Sequence, residues 1–339
     1  MEIYCIIFII LLINALLFEN DKLLFGFTIF FFAVFIGFRA LSVGADTRAY
    51  LMIFLSNGNN GYHGYPEPLY GLLCRFFYLL GFSFSGFQTI LSLIMLSLGG
   101  YTIHKHSPNI LFSLFCLFGM YFICYAMNIN RQAEACFLIL FGYHFLLEKR
   151  YIIFIVIIII SMGIHTASAI ALIAIVAHKI PLNHVYVFIG LFFSFLIGLY
   201  FNESIVSGLL GGYARYLQDN VGSGLRTMER LSDAIMLVTY WMIGFVFFWT
   251  TAKDELKNSF FMKMYFITIM INNATIRLEL GIRVVLLFSI LQVILYPLYA
   301  ESSIFTKSIS TFFVVCYISI FFIVFISSGS AAVVPYKLF

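Results

Sequence analysis

The chain has 339 residues, of which 63% are hydrophobic and only 10% are charged, and its mean hydropathy is +1.03. A soluble protein carries about 25% charged residues, so this composition excludes a soluble enzyme and indicates an integral membrane protein. The net charge of +4 comes from dispersed basic residues, which argues against nucleic-acid binding. No hydrophilic stretch is long enough for a soluble domain, so we expect one transmembrane domain over residues 1–339.

Apolar segments follow one another along most of the chain. Since a membrane-spanning helix needs roughly 20 apolar residues, these segments predict an all-α, polytopic bundle of about 11–12 transmembrane helices. The predicted spans are 3–18, 23–38, 87–103, 111–127, 132–147, 151–164, 165–177, 185–201, 234–250, 260–271, 280–298 and 309–327. Residues 151–177 are too long for one straight helix, so we predict a break near His165.

Two polar segments interrupt this pattern. In residues 39–65 charged side chains stand among Gly, Asn, Tyr and Pro, and residues 202–232 form the largest polar segment. Residues 66–82 are apolar but contain Arg75, which predicts a short re-entrant or interfacial helix. Charged, turn-rich sequence at the end of a span is expected where it meets water or a polar ligand. We therefore predict that residues 39–82 form an extracytoplasmic loop with a re-entrant helix at one wall of an active site, and that 202–232 form a large loop on the same side.

Apart from Arg150 and Lys337, lysine and arginine separate onto opposite faces when residues 39–65 are placed outside the cell. The lysines on the cytoplasmic face are Lys22, Lys105, Lys149, Lys179, Lys253, Lys257, Lys263 and Lys307. The arginines on the outer face are Arg39, Arg48, Arg75, Arg131, Arg215, Arg226, Arg230, Arg277 and Arg283. The lysines obey the positive-inside rule. Because a guanidinium binds phosphate through two parallel hydrogen bonds, the outer arginines predict a phosphate-bearing ligand.

Three arginines next to apolar segments are candidates for ligand binding, and for Arg131 the candidate ligand is a pyrophosphate. Arg131 lies where two predicted spans meet, and Arg277 and Arg283 lie six residues apart before an apolar run. Each also has a purely structural interpretation. Arg131 can reach the lipid headgroups or pair with Glu134 at i+3, and Glu279 can pair with either of the other two.

The candidates for proton transfer are His165, Asp46 and Glu67. His165 is a lone imidazole in a long apolar run, where an ionisable residue is a functional hypothesis by default. One of these groups could activate a sugar hydroxyl as general base. Alternatively, His165 is a buried hydrogen-bonding residue, Asp46 pairs with Arg39 or Arg48, and Glu67 caps the helix after Pro68. His104 and His106 resemble a metal-binding pair but have no nearby carboxylate, so we predict no metal site and no cofactor.

Several motifs, in order, resemble the EpsG-like polysaccharide polymerases, which are relatives of the Wzy O-antigen polymerases. They are GADTRAY followed by EPLYGLL, NRQAEACFLILFGYHFLLEKRY, SMGIHTASAIAL, and TIRLELGIRVVLL with Pro297 after it. The resemblance implies an enzyme of the bacterial inner membrane with a periplasmic active site. That enzyme would transfer undecaprenyl-pyrophosphate-linked oligosaccharide repeat units onto one another and release undecaprenyl pyrophosphate.

This resemblance also implies roles for the candidate residues. Arg131, Arg277 and Arg283 would hold the pyrophosphate, with Arg39, Arg48 and Glu67 as further substrate-binding residues, and His165 or Asp46 would activate the acceptor hydroxyl. Aromatic and basic residues of the second loop would cover the saccharides; these are Tyr213, Arg215 and Arg230. The expected partners are the lipid-linked oligosaccharides, the bilayer, a chain-length regulator and a flippase.

Other functions would use similar residues. An O-antigen ligase would share the arginines and the large outer loop, and only its acceptor, the lipid A core, would differ. A flippase or other transporter predicts internal repeats and charges near the middle of the membrane, whereas the charges here gather at one face. A membrane acyltransferase would have only His165 in its favour.

Overall fold

The computed structural model describes residues 1–59, 61, 67–200, 244, 246, 248–275, 281–329 and 331–338, except for the side chains of Cys124, His184 and residues 281–283. In these ranges every regular element is a helix. The two extended backbone pairs in the same ranges, Arg39 with Leu338 and Thr251 with Ser303, are isolated bridges. The predicted all-α fold is confirmed for this part of the chain.

The described α-helices are numbered here in chain order. They are α1 (Glu2–Leu17), α2 (Lys22–Gly37), α3 (Thr47–Asn59), α4 (Pro68–Leu79), α5 (Phe84–His106), α6 (Ile110–Leu117), α7 (Asn130–Leu147), α8 (Tyr151–Ile164), α9 (Ile173–Lys179), α10 (His184–Tyr200), α11 (Asp254–Lys257), α12 (Phe260–Ala274), α13 (Gly281–Ser289), α14 (Gln292–Ser302) and α15 (Lys307–Ser328). A π-helix (Phe118–Ala126) continues α6, and a 3₁₀-helix (Thr166–Leu172) follows α8.

The chain divides into two compact units. The first contains Met1–Leu172, Gln292–Glu301 and Phe305–Phe339. In this unit α5 packs against α2 and α7, α7 packs against α8, and α4 contacts both α3 and α8. The second contains the described residues of Ile173–Leu291 together with Ser302–Ile304, and in it α12 packs against α9, α10 and α13. The candidate residues of the first unit are Arg39, Asp46, Arg48, Glu67, Arg131 and His165.

Short polar residues begin several of the apolar helices. The Asp21 carboxylate accepts hydrogen bonds from the main-chain N–H groups of Leu23 and Leu24, both at 2.9 Å. Asn109 accepts one from Phe112 N–H at 2.7 Å. Such side chains satisfy N–H groups that have no partner inside the first turn of a helix. They therefore fix where the apolar helices α2 and α6 start.

Large apolar side chains lie on the outside of the protein. Leu23 is 72% exposed and Ile152 is 79% exposed, and many other leucine, isoleucine and phenylalanine side chains are similar. An apolar surface of this extent is expected where lipid, not water, surrounds the protein. Among the described residues, two helices, α5 and α15, are long and apolar enough to cross a membrane, and shorter apolar helices accompany them. The helical, apolar structure is that of a membrane protein.

Within the described residues, the structure differs from the sequence prediction in two helical regions. Residues 39–65, predicted as a loop, contain α3, whose buried side chains Tyr50, Phe54 and Asn57 recur every three or four residues. That spacing is typical of an amphipathic helix, but the polar composition of the segment obscured it. The single span predicted over 280–298 is two helices, α13 and α14. The short helix predicted over 66–82 is present as α4, Pro68–Leu79.

The C-terminal segment packs along the start of the predicted loop. Main-chain N–H groups of Ala40 and Gly44 donate to the carbonyl oxygens of Lys337 at 2.8 Å and Ala332 at 2.9 Å. The hydroxyl of Tyr336 donates to the Phe35 carbonyl at 3.1 Å, and the two rings stack with centroids 4.0 Å apart. These contacts hold residues 38–45 in place just before α3 begins.

Gly44 is the tightest point of this segment. Its φ of +86° is a conformation that side chains disfavour, and a Cβ added there would lie 2.2 Å from the Met127 carbonyl oxygen. We therefore expect Gly44→Ala to destabilise the protein by about 3 kcal/mol, from the backbone conformation and the clash together. Thermal unfolding in detergent measures this.

Gly81 provides a matched control for the clash. Its φ is +80°, but an added Cβ would meet nothing within 4 Å. Gly81→Ala should therefore cost only about 1 kcal/mol. If both variants lower the free energy of unfolding by the same amount, the close packing of Gly44 against Met127 does not contribute to stability.

Candidate functional site

Three side chains from separate parts of the sequence meet at one point. Glu67 immediately precedes α4, Arg131 is the second residue of α7, and His165 immediately follows α8. Each therefore lies at a helix end. Because α4 and α7 both pack against α8, these three ends come together.

The Glu67 carboxylate joins the other two groups. One of its oxygens accepts a hydrogen bond from Nη1 of Arg131. The other lies 2.7 Å from Nδ1 of His165 and 3.3 Å from the main-chain nitrogen of Thr166. Glu67 is only 7% exposed, so a buried carboxylate is surrounded by donors, as such a group requires.

The carboxylate determines the tautomer of His165. An ionised carboxylate only accepts hydrogen bonds, so Nδ1 of the imidazole carries the proton that is donated to Glu67. In the neutral ring Nε2 is then the nitrogen with the lone pair. Nε2 is buried and has no hydrogen-bond partner among the residues that the structure describes. In a neutral ring it is the atom suited to take a proton from a substrate.

Two tyrosine rings hold the guanidinium of Arg131. Its central carbon lies 5.2 Å from the ring centre of Tyr50 and 5.5 Å from that of Tyr70. Tyr50 is 4% exposed and Tyr70 is fully buried. Cation–π contacts of this kind are worth about 0.5–2 kcal/mol each. Together with the ion pair to Glu67, they fix the plane of the guanidinium.

A buried chain of amides continues behind these rings. Nε2 of Gln88 donates to the Tyr70 hydroxyl at 3.3 Å, and Nδ2 of Asn130 donates to Oε1 of Gln88. Asn130 also donates to Oε1 of Glu134 at 3.1 Å. Since Asn130 directly precedes Arg131, these hydrogen bonds link the position of Arg131 to that of the Tyr70 ring. Sequence reasoning missed Tyr50, Tyr70, Gln88 and Asn130.

The pairings that the sequence suggested for Arg131 and Glu67 differ from those in the structure. The carboxylate partner of Arg131 is Glu67, whereas Glu134 at i+3 bonds to Asn130. Glu67 occupies the N-cap position of α4 but its side chain does not cap that helix. Helical spacing favours the local partner, and here the packing of α4 and α7 on α8 brings a distant carboxylate closer.

Asp46, Arg39 and Arg48 lie at the start of α3 or shortly before it, on the segment that leads to Tyr50. Nε of Arg39, which is buried, donates to the Thr47 hydroxyl at 3.2 Å. Arg48 is exposed on α3. No ion pair joins Asp46 to either arginine within the described ranges. Asp46 is half-buried one turn before Tyr50, and its main-chain N–H donates to Oδ1 of Asn128 at 3.4 Å.

The other predicted site residues lie outside the described part of the chain. These are Arg277, Tyr213, Arg215 and Arg230. The backbone of Arg283 belongs to the first turn of α13, but its side chain is outside the described atoms. Their predicted roles therefore remain predictions.

The cluster also affects the titration of Glu67, which lies outside the spans predicted from the sequence. Burial raises the pKa of its carboxyl, but the hydrogen bond from His165 and the positive charge of Arg131 outweigh burial and hold that pKa below its ordinary value of 4.5. A carboxyl with a lowered pKa in the folded state stabilises the protein fully above the pKa of the unfolded state. That stabilisation is lost as the pH falls through the lower pKa of the folded state.

A pH series should reveal this contribution. We expect the melting temperature of the wild type to exceed that of Glu67→Gln at about pH 5.5, where the carboxyl is ionised in both the folded and the unfolded state. The difference should shrink below about pH 4.5, where the unfolded carboxyl becomes protonated. Thermal unfolding of both proteins in detergent tests this, and a difference that does not change down to pH 3 would contradict the assigned ion pair.

Comparison with known proteins places the chain in a family. A model of the EpsG family matches residues 22–338, which is nearly the whole chain and includes Glu67, Arg131 and His165. Searches of curated proteins and of solved structures give no significant match. The EpsG family is associated with glycosyltransferase-like activity in polysaccharide biosynthesis. The match over nearly the full length shows that this chain belongs to the EpsG family.

Proposed function

We propose that this protein is a glycosyltransferase that polymerises oligosaccharide repeat units linked to undecaprenyl pyrophosphate. It transfers the growing chain from one lipid carrier to the next repeat unit and releases undecaprenyl pyrophosphate. The reaction takes place on the periplasmic face of the bacterial inner membrane. In this topology about 11–12 helices cross the membrane, and residues 39–82 and 202–232 face the periplasm.

The observation that carries this proposal is the cluster of Glu67, Arg131 and His165. It brings together an imidazole oriented by a carboxylate and a guanidinium held by two aromatic rings. Glycosyl transfer from a pyrophosphate needs both functions: a base for the acceptor hydroxyl and positive charge for the leaving group. The family match and the arginines predicted on the outer face support the same assignment.

The proposed step assigns a task to each group. Nε2 of His165 takes the proton of the acceptor hydroxyl, and the hydroxyl oxygen forms a bond to the anomeric carbon of the donor sugar. The bond between that carbon and the pyrophosphate oxygen breaks, and its electron pair remains on the pyrophosphate. Arg131 stabilises the developing negative charge, because a guanidinium presents five N–H donors in one plane. Glu67 stabilises the imidazolium that forms, as the carboxylate of a catalytic triad does.

Complementation tests this function. Cells in which the gene is deleted should lack long surface polysaccharide and accumulate single repeat units on the lipid carrier at the periplasmic face. Expression of the wild-type protein should restore a ladder of polymer lengths on a gel.

Other outcomes would identify the competing functions. Repeat units that remain on the cytoplasmic face in the deleted strain would indicate a transporter. Long chains that form but stay on the lipid carrier would indicate a ligase that transfers them to the lipid A core. Either result would overturn the proposed polymerase.

A further inference from the structure

Two serines flank the helix break at His165. The α8 helix ends at Ile164, and after His165 the chain continues as the 3₁₀-helix Thr166–Leu172. The N–H of His165 donates to the Ser161 carbonyl at 2.8 Å, and the N–H of Ser168 donates to the His165 carbonyl at 3.0 Å. The backbone of His165 is thus bonded on both sides to residues that the proposed reaction does not use.

The side chains of these serines form a second connection. The two hydroxyl oxygens lie 2.9 Å apart, and Oγ of Ser161 lies 3.2 Å from the carbonyl oxygen of Ala135. A hydroxyl carries one proton. Both contacts are satisfied when Ser168 donates to Ser161 and Ser161 donates to Ala135. Both serines are fully buried, so water does not compete for these bonds.

Ala135 lies on the helix that carries Arg131. The two residues are four positions apart, about one turn of α7. His165 and Arg131 are therefore joined twice. One connection runs through the charged carboxylate of Glu67, and the other runs through the neutral hydroxyls of Ser161 and Ser168.

We infer that Ser161 and Ser168 are positioning residues that hold the His165 imidazole at a fixed place relative to Arg131. This inference rests on the proposed function. The charged connection is disturbed when His165 gains a proton and when a pyrophosphate competes for Arg131. The hydroxyl connection involves no charge and stays the same through these steps. It keeps Nε2 aimed at the acceptor hydroxyl while the bonds to Glu67 change.

The test compares Ser161→Ala, Ser168→Ala and the double variant in detergent or liposomes. The substrate is a lipid extract from the membranes of cells in which the gene is deleted. We expect each single variant to lower kcat by about tenfold to a hundredfold, because a misplacement of about 1 Å has an effect of that size. KM for the lipid-linked substrate should change less than twofold. The double variant should be no worse than the more affected single one, since the two hydroxyls act as one chain.

The His165→Gln background separates positioning from loss of folded protein. A smaller folded fraction would lower the residual rate in that background too, whereas lost positioning of His165 would not. Ser310→Ala is the control, because Ser310 is also fully buried and its hydroxyl has no hydrogen-bond partner in the described part of the chain. If the alanine variants fail to reach the membrane, Ser161→Cys and Ser168→Cys, whose thiols hydrogen-bond only weakly, replace them and should also lower kcat.

Three results would overturn the inference. Wild-type kcat in the serine variants, with His165→Gln still impaired, would reject the positioning role and leave the proposed function intact. A further drop caused by the serine variants in the His165→Gln background would show a general structural role. Failure of the wild-type protein to polymerise the extract would reject the proposed function, and the inference with it.

Discussion

The His165→Gln variant is expected to lose about 10²–10⁴-fold in the rate of polymer formation, the usual contribution of a general base. Glutamine keeps a polar side chain of similar length but provides no basic nitrogen near neutral pH. The interaction with Glu67 can persist through the side-chain amide, so the protein should still reach the membrane. The measurement is the initial rate of polymer formation from the same lipid extract, normalised to the amount of protein in the membrane.

A second histidine of the same chain serves as the control. His144 also pairs with a carboxylate, since its Nε2 lies 3.3 Å from Oε1 of Glu148, and its Nδ1 lies 3.0 Å from Nε2 of His106. It is on the same helix as Arg131 but 13 residues further on, which is about 20 Å along the axis. His144→Gln should retain the wild-type rate. Equal losses in both variants would mean that His165 contributes stability and not proton transfer.

The sequence was sufficient for most of the helices and for the position of His165. Long apolar runs predict helices because each must satisfy its backbone hydrogen bonds internally. The predicted break near His165 is confirmed, because α8 ends at Ile164 and His165 has an extended backbone. A polar residue after such a run marks the place where the regular helix ends. The α3 helix was missed because its buried face is formed partly by Asn57 and Thr47, which composition alone classes as loop residues.

The sequence alone does not predict which side chains contact one another within the site. Glu67 and His165 are 98 residues apart, and Glu67 and Arg131 are 64 apart. No local sequence pattern predicts contacts over such separations. Sequence spacing therefore favours Glu134, the nearest carboxylate along the chain, as the partner of Arg131, whereas the structure pairs Arg131 with Glu67. The tyrosines beneath Arg131 were hidden for a related reason. Tyr50 and Tyr70 are ordinary residues of amphipathic helices until α3 and α4 pack together.

The contacts of Arg131 with Glu67, Tyr50 and Tyr70 predict that a positive charge alone at position 131 is not enough to bind the pyrophosphate. We expect Arg131→Lys to raise KM for the lipid-linked substrate by about 10- to 100-fold, equivalent to about 1.4–2.7 kcal/mol. Lysine keeps the positive charge and can still pair with Glu67. It lacks the planar fork that binds phosphate oxygens in parallel, and it stacks less well between two aromatic rings. Inhibition by added undecaprenyl pyrophosphate should weaken by a similar factor, because the same group binds the product.

Arg150 allows the same substitution to be made where no role in the reaction is proposed. Its guanidinium also lies over a ring, 5.2 Å from the centre of Phe145, and pairs with Glu148 at 3.5 Å, but its side chain is 54% exposed. Arg150→Lys should leave KM and product inhibition unchanged. If Arg131→Lys behaves like Arg150→Lys while Arg131→Ala is inactive, positive charge alone suffices and the fork of the guanidinium is not needed. The alternative outcome is that Arg131→Lys loses affinity for undecaprenyl pyrophosphate while its amount in the membrane is unchanged. In that case the planar shape of the guanidinium, held by Glu67 and the two tyrosine rings, recognises the pyrophosphate.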